Sequence, residues 1–234
     1  MFEARNVAFY IERECSKPYF CQNQCLDYSG EKDYSLPAPH KNVFLTESQI
    51  KSTVKQLSRS VLDWSKDSKT NTLNLVSILE GARPLTRDLM AQLKKGSPDI
   101  QLNLYEVSVK GTDGHQNLLA DRQVEEGFLD LDVIRQHPTL IVDDLVDSGM
   151  TLQKLKNELS SHGVKGARTL VLIRKFGGIG GPVDFLGFDL NWNHEALAEK
   201  GFKDCWLYGY GMDLDGQHRD LKRVEGVYIP LVDK

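Results

Sequence analysis

One segment near the middle of the chain reads LIVDDLVDSGMTL, from Leu140 to Leu152. Its apolar start is followed by two adjacent acids and then by a third acid that opens a turn of small residues. This order predicts a buried strand that brings carboxylates to its C-terminal end, followed by a loop and a helix. The backbone N–H groups of such a loop can surround a phosphate at the N-terminus of the helix. The acids beside this turn can bind a divalent cation or a diol. Together with the phosphate-binding turn, they suit a phosphorylated sugar.

The same acids could instead only cap and solvate a turn, because acids are common where strands end. The ordered combination of an apolar run, three acids and a Ser-Gly-x-Thr turn favours the phosphate-binding interpretation. Other phosphate-binding motifs fit worse. The chain contains no G-x-x-x-x-G-K-[ST] run, and the glycines between Gly177 and Gly181 do not form G-x-G-x-x-G.

Length and charge narrow the class of protein. A chain of 234 residues, 40% of them hydrophobic, can bury a full core as one large domain. Its net charge of -4 argues against nucleic acid as the main partner, because no basic excess is available to neutralise a phosphate backbone. An anionic substrate would therefore need a local cation such as a metal ion. Charges are scattered through the first residues, so we expect no signal peptide. Because no apolar run reaches about 18 residues, we also expect no membrane association and a cytoplasmic location.

Residues 1–42 are predicted to form an N-terminal extension of unknown role, ahead of a domain at 43–234. The extension holds three of the four cysteines, Cys15, Cys21 and Cys25. They could be three ligands of a zinc site, but the nearest histidine in the sequence is remote. We favour free thiols in a reducing compartment, since four cysteines are too few for a disulfide scaffold of this size.

Helix and strand patterns alternate along the rest of the chain. Thr46 to Gln49 matches a helix capping box, and apolar residues follow at helical spacing. Further elements are expected in this order: strand 73–79, helix through 87–93, strand 102–109, helix from Thr151 and strand 168–173. The alternation predicts an α/β fold with a mostly parallel sheet flanked by helices. The polar segment Lys110–Glu126 is predicted to be a mobile loop.

The central segment closely resembles the phosphoribosyl-pyrophosphate-binding motif of the type I phosphoribosyltransferases. Three C-terminal segments resemble the purine-base end of the hypoxanthine-guanine members: VDFLGFD at 183–189, WLYGYGMD at 206–213 and HRDL at 218–221. The order and spacing of these segments agree over roughly residues 43–230. The resemblance implies the type I phosphoribosyltransferase fold, with a small hood formed from the termini.

The resemblance also implies an activity, the transfer of ribose 5-phosphate from phosphoribosyl pyrophosphate to hypoxanthine or guanine with magnesium. Asp147 would take the proton of the purine N7 as the new bond forms. Asp143 and Asp144 would face the ribose hydroxyls and the hydrated metal, and Asp213 would be a further metal-linked acid. The residues that would hold the 5-phosphate are Ser148, Gly149, Met150 and Thr151.

The purine base is expected to stack on Trp206 and to meet the backbone of Leu207. A cation, Arg174 or Lys175, is expected to donate to the 6-oxo group, and direct alignment favours Arg174. Arg219 matches an arginine that contacts pyrophosphate. The plain structural alternatives are core packing for Trp206 and a surface ion pair for Arg219.

Several positions depart from the family pattern. Asp143 stands where Glu is more frequent. Glu80, beside Gly81 in a loop whose backbone contacts pyrophosphate through an unusual cis peptide, stands where Lys or Arg is frequent. An acid there would repel pyrophosphate unless its side chain points away, for example towards Arg83. The loop 110–126 matches a lid that excludes water, although its tip differs from the Ser-Tyr pair that is common in the family.

These departures leave two alternatives open. The first is a regulator or sensor of this fold that binds phosphoribosyl pyrophosphate or a nucleotide without turnover. The second is an enzyme for xanthine or another base. Retention of Asp147, Trp206 and Asp213 favours an enzyme, because a sensor has less need of a base and a purine stack. The expected partners are phosphoribosyl pyrophosphate and a purine base, in a homodimer or homotetramer.

Overall fold

The computed structural model describes residues 42–66, 70–108, 130–176 and 183–231. The three N-terminal cysteines, the loop predicted at 110–126 and the glycine-rich stretch after Phe176 lie outside the described residues. The domain boundary at residue 42 therefore stays a prediction. In the part of the chain that is described, no helix is long and apolar enough to cross a membrane.

The described strands and helices alternate as the sequence predicts. The strands are β1 (Asn42–Leu45), β2 (Thr72–Leu79), β3 (Gln101–Ser108), β4 (Thr139–Val146), β5 (Arg168–Phe176), β6 (Phe185–Trp192), β7 (Phe202–Tyr208) and β8 (Val224–Pro230). The helices are α1 (Glu47–Ser65), α2 (Arg83–Gly96), α3 (Leu131–Ile134), α4 (Met150–Ser161) and α5 (His194–Ala198).

The main sheet has five strands in the order β3-β2-β4-β5-β6, and every pairing in it is parallel. Its central strands are largely apolar and are buried on both faces, because helices cover both sides of a parallel sheet. In β2, for example, all residues from Leu73 to Ile78 are buried. The predicted α/β fold with a mostly parallel sheet is thus confirmed.

Helix α1 begins where the sequence places it. The Gln49 N–H donates to the Thr46 hydroxyl at 3.3 Å, and the Thr46 N–H donates to Gln49 Oε1 at 2.9 Å, which completes the capping box. One face of the helix is buried through Ile50, Val54 and Leu57. The reciprocal bonds satisfy two N–H groups that a helix start otherwise leaves without partners.

A second, smaller sheet forms the hood. It is antiparallel, in the order β1-β8-β7, so β8, near the end of the chain, pairs on one side with β1 from the start of the domain and on the other with β7. The hood packs on the same apolar core as the main sheet through Leu45, Cys205 and Leu207. A hydrogen bond of 2.8 Å from the Tyr210 hydroxyl to Asp88 of α2 also joins the two parts. The predicted hood from the termini is confirmed.

Cys205 lies in the core, and its thiol should be inert in the folded protein. Burial raises the pKa of this thiol to about 12. Because the thiolate is the reactive form, we expect alkylation by iodoacetamide at pH 8 to be about 10³-fold slower than for an exposed cysteine. A variant with Cys15, Cys21 and Cys25 changed to Ser isolates this thiol for mass spectrometry. Fast labelling without denaturant, at the rate seen in guanidinium, would contradict the burial.

Candidate active site

The turn between β4 and α4 contains the predicted 5-phosphate site. Gly149 precedes the helix with φ 73°, a left-handed conformation that glycine adopts without strain. The N-cap Gly149 offers no side-chain acceptor, and the Met150 N–H at the start of the helix donates to the Ser148 hydroxyl at 3.5 Å. Ser148 is exposed, and Thr151 lies in the first turn of the helix. The 5-phosphate site in this turn stays a prediction.

Two acids lie side by side at the end of β4. Asp143 is buried and Asp144 is partly buried, and the Asp144 N–H donates to Asp143 Oδ1 at 3.1 Å. Burial, and then the nearby Asp144 carboxylate, raise the pKa of Asp143 well above its usual value. Burial also raises the pKa of Asp144. A carboxylate pair in this setting is stabilised by a cation or by donating hydroxyls, which are the groups that a ribose and a bound metal offer.

The loop after β2 packs tightly against this acid pair. The Leu79–Glu80 peptide bond is cis, as the resemblance implies. A Cβ on Gly81 would overlap the Asp144 carboxylate, and a Cβ on Gly211 would overlap the Gly81 carbonyl. Glycine at both positions therefore lets three chain segments meet: the loop after β2, the end of β4 and the loop after β7.

The side chain of Glu80 is held by a cation. Arg83 Nη1 lies 2.6 Å from Glu80 Oε2, and Arg83 Nε lies 3.0 Å from Glu106 Oε1. Because Arg83 pairs with the Glu80 carboxylate, this acid would repel pyrophosphate less than an unpaired acid in the same loop. Both side chains are about half exposed, so the ion pair itself adds little to stability.

Trp206 of β7 presents an open aromatic surface. Its relative exposure is 49%, which excludes the alternative of a core tryptophan. The indole Nε1–H donates to the Asp213 carbonyl at 2.7 Å, and this bond orients the ring. The side chain of the next residue, Leu207, is buried, and β7 is an edge strand of the described hood sheet. An edge strand has backbone groups that can pair with a ligand.

Asp213 and Arg219 form an ion pair beside the loop that carries Gly211. Arg219 Nη2 lies 2.6 Å from Asp213 Oδ1, and Arg219 Nη1 donates to the Gly211 carbonyl at 2.6 Å. The Gly216 N–H also donates to Asp213, at 2.8 Å. The positive charge of Arg219 opposes the rise in the pKa of Asp144. Arg219 is therefore ion-paired close to the acid pair of β4, and its contact with pyrophosphate stays a prediction.

The two candidate cations of β5 point to different partners. Arg174 Nε lies 3.5 Å from Asp189 Oδ2 on the neighbouring strand β6. Lys175 Nζ lies 3.6 Å from Asp147 Oδ2 and 2.6 Å from Asp204 Oδ1. Successive side chains of a strand leave on opposite faces, so only one of the two can reach Asp147. The geometry favours Lys175, whereas direct alignment of the sequence favours Arg174.

The sequence predicts three metal-linked acids, Asp213, Asp143 and Asp144. Within the described ranges, no three His, Cys, Asp or Glu side chains gather into a possible metal site. This arrangement fits Mg²⁺, which usually keeps several waters and binds one or two carboxylates together with substrate phosphates. The acids present therefore suit a magnesium ion that arrives with a phosphorylated substrate.

Comparison with known proteins agrees with this geometry. Residues 46–195 match the family model described as the phosphoribosyl transferase domain. The chain is 30% identical over 184 residues to the hypoxanthine-guanine phosphoribosyltransferase of Dictyostelium discoideum, across 77% of this chain and 92% of that protein. It is 31% identical over 197 residues to that of Mycobacterium avium, across 80% and 86%.

Solved structures share the fold. The hypoxanthine phosphoribosyltransferase of Trypanosoma cruzi superposes with a TM-score of 0.60 at 22% sequence identity, over 82% of this chain and 98% of that one. The hypoxanthine-guanine phosphoribosyltransferase of L. donovani gives 0.61 at 21% identity, over 80% and 99%. The parallel sheet with its hood is therefore a known architecture.

Proposed function

The chain belongs to the phosphoribosyltransferase family, and from this we propose that it is a purine-salvage enzyme that transfers ribose 5-phosphate from phosphoribosyl pyrophosphate to hypoxanthine or guanine. The observation that carries the proposal is the meeting of Lys175 with Asp147, 3.6 Å apart, where β5 approaches β7 and its exposed Trp206. A proton acceptor, a cationic donor and a flat aromatic surface are what a 6-oxopurine needs. The relatives named above support the same substrate class.

The sugar phosphate would bind at the ends of β4 and β2. The amides of the turn from Asp147 to Thr151 would bind the 5-phosphate at the start of α4. Asp143 and Asp144 would accept hydrogen bonds from the ribose hydroxyls. The loop at Gly81 would offer its backbone to pyrophosphate, with Arg219 supplying a positive charge nearby.

The base would lie between the two sheets. Asp147 would accept the N7 proton while the bond from a ring nitrogen to the ribose carbon forms and the bond from that carbon to pyrophosphate breaks. Lys175 would donate to the 6-oxo group, and Trp206 would stack on the ring. Adenine carries an amino group in place of that oxygen, so it would present a donor to the Lys175 ammonium and would be rejected.

A magnesium ion would be held by the phosphoribosyl pyrophosphate together with one or two of the acids Asp213, Asp143 and Asp144. When bound, such an ion neutralises the charge of the pyrophosphate leaving group. The lid role of the loop at 110–126, a homodimer or homotetramer and a cytoplasmic location stay predictions from the sequence.

A sensor without turnover is the alternative, and Glu80 is the observation that favours it. Its bond to Arg83 weakens that argument, because the acid is paired and need not face pyrophosphate. An enzyme that accepts xanthine is compatible with the same Lys175, since xanthine also carries a 6-oxo group. The described residues contain no feature that favours xanthine over hypoxanthine or guanine.

Calorimetric titration with nucleoside monophosphates tests the proposal without requiring turnover. We expect inosine and guanosine 5′-monophosphate to bind at least about tenfold more tightly than adenosine 5′-monophosphate, because only the first two accept a hydrogen bond from Lys175. Equal affinity for all three would contradict the proposed base site. Binding of phosphoribosyl pyrophosphate without any monophosphate would point to a sensor.

Replacing Trp206 by Ala should weaken base binding. If stacking here has its usual strength, the KM for hypoxanthine should rise by about 5- to 150-fold, equivalent to about 1–3 kcal/mol. Trp206→Phe retains an aromatic face and should stay within about fivefold of the wild type. Steady-state kinetics at saturating phosphoribosyl pyrophosphate measures both variants. An unchanged KM for Trp206→Ala would place the indole outside the base site.

A further inference from the structure

Lys175 is a buried cation with two acidic partners at unequal distances. Its side chain is only 4% exposed, so the ammonium depends on protein partners rather than on water. Asp204 Oδ1 lies within hydrogen-bond distance, at 2.6 Å, whereas Asp147 Oδ2 is 3.6 Å away. Asp204 therefore holds the ammonium, and Asp147 interacts with it mainly through charge.

The strand that carries Asp204 also carries the aromatic surface. Asp204 and Trp206 are two residues apart on β7, so their side chains leave the same face of the strand. The intervening Cys205 is fully buried on the opposite face. Strand β7 thus positions both the Trp206 ring, on which the base would stack, and the Lys175 ammonium. The sequence patterns did not identify Asp204. The one signal that could have found it is the spacing Asp-x-Trp, which places Asp204 on the same face of β7 as Trp206.

We propose that Asp204 is a positioning residue of this site, which fixes the Lys175 ammonium for the 6-oxo group of the base and leaves Asp147 available to accept a proton. This inference rests on the proposed function. When Asp147 takes the N7 proton, it loses its charge, and a Lys175 paired only with Asp147 would then lose its counter-ion. Asp204 keeps its charge throughout the step, so the buried ammonium stays paired.

Removal of the Asp204 charge should redirect Lys175. With Asp204 neutral, the ammonium has Asp147 as its remaining carboxylate partner among the contacts seen here, and it should move towards that carboxylate. Such a move would take the Lys175 ammonium away from the 6-oxo group of the base. It would also engage the Asp147 carboxylate, which is the proposed proton acceptor. Both effects act on the reaction with the base and leave the phosphate turn untouched.

The test compares Asp204→Asn with Asp189→Asn. Asn keeps the oxygen that accepts the Cys205 N–H at 2.7 Å and removes the charge. Asp189 is a matched control, because it also pairs a strand-end cation, Arg174, but on the side of β6. We expect Asp204→Asn to lower kcat/KM for hypoxanthine by about 10- to 100-fold, the strength of a hydrogen bond between charged groups, with the Kd of phosphoribosyl pyrophosphate unchanged within about twofold.

The conservative variant Asp204→Glu should recover most of the lost kcat/KM, because it restores the charge. If Asp204→Asn does not yield folded protein, Asp204→Ser takes its place with the same expectation. The proposal is overturned if the Asp204 variant matches Asp189→Asn in kcat/KM, or if it loses phosphoribosyl pyrophosphate binding as strongly as base turnover. A wild-type protein that turns over neither hypoxanthine nor guanine would instead overturn the proposed function.

Discussion

Asp147→Asn is expected to lower kcat by about 10²- to 10⁴-fold, the usual contribution of a general base. The carboxylate is exposed in the turn and lies near the Lys175 ammonium, where it can accept a proton from a purine. The amide of Asn has nearly the same shape but cannot take that proton. The Kd of phosphoribosyl pyrophosphate should change by less than about threefold, because in the proposed site backbone amides of the turn would bind the phosphate. Single-turnover kinetics and calorimetry measure the two quantities separately.

Thr151→Ala is the comparison for this experiment. Thr151 lies in the first turn of α4, so its loss should mainly weaken binding of phosphoribosyl pyrophosphate and leave the chemical step nearly intact. The roles assigned to the two residues are wrong if both variants lose binding and turnover in equal measure.

Lys175→Met should lower kcat/KM for hypoxanthine by about 10²- to 10³-fold. The loss combines a charged hydrogen bond to the 6-oxo group with the repulsion between Asp147 and Asp204, which would face each other without their shared cation. Methionine keeps the unbranched length of the side chain and removes the charge. Discrimination against adenine should fall at the same time, since the donor that rejects its amino group is gone.

The variant Arg174→Met tests which of the two candidate cations, Arg174 or Lys175, contacts the base. Arg174 pairs with Asp189 on the β6 side, so its removal should change kcat/KM by less than about threefold. A large loss in Arg174→Met together with a small loss in Lys175→Met would mean that the sequence alignment, rather than the geometry, identifies the base contact.

Much of the fold could be predicted because local patterns were unambiguous. The capping box at Thr46 and the apolar run that ends in Asp143 each specify one type of element, and both are found. The pairing of β1 with β8 is different, since it joins Val43 to Glu225 across most of the chain. No local pattern encodes such a contact. The hood was expected only through resemblance to a known family.

The candidate site, like the fold, could be predicted from the sequence only where its residues are contiguous. The turn from Asp147 to Thr151 is contiguous in sequence and could be predicted as a unit. The orientation of Arg174 and Lys175 could not, because β5 is buried on both faces and its residues do not alternate between apolar and polar. Asp204 acts through a contact between two sheets, which only the folded chain reveals.

The most direct test of the account is a steady-state assay with magnesium, phosphoribosyl pyrophosphate and four bases in parallel: hypoxanthine, guanine, xanthine and adenine. We predict rapid nucleoside monophosphate formation with hypoxanthine or guanine, and a kcat/KM for adenine at least about 100-fold lower, because in the proposed site Lys175 would donate to the 6-oxo group. Failure to form product with any base, while phosphoribosyl pyrophosphate still binds, would contradict the account and identify a sensor.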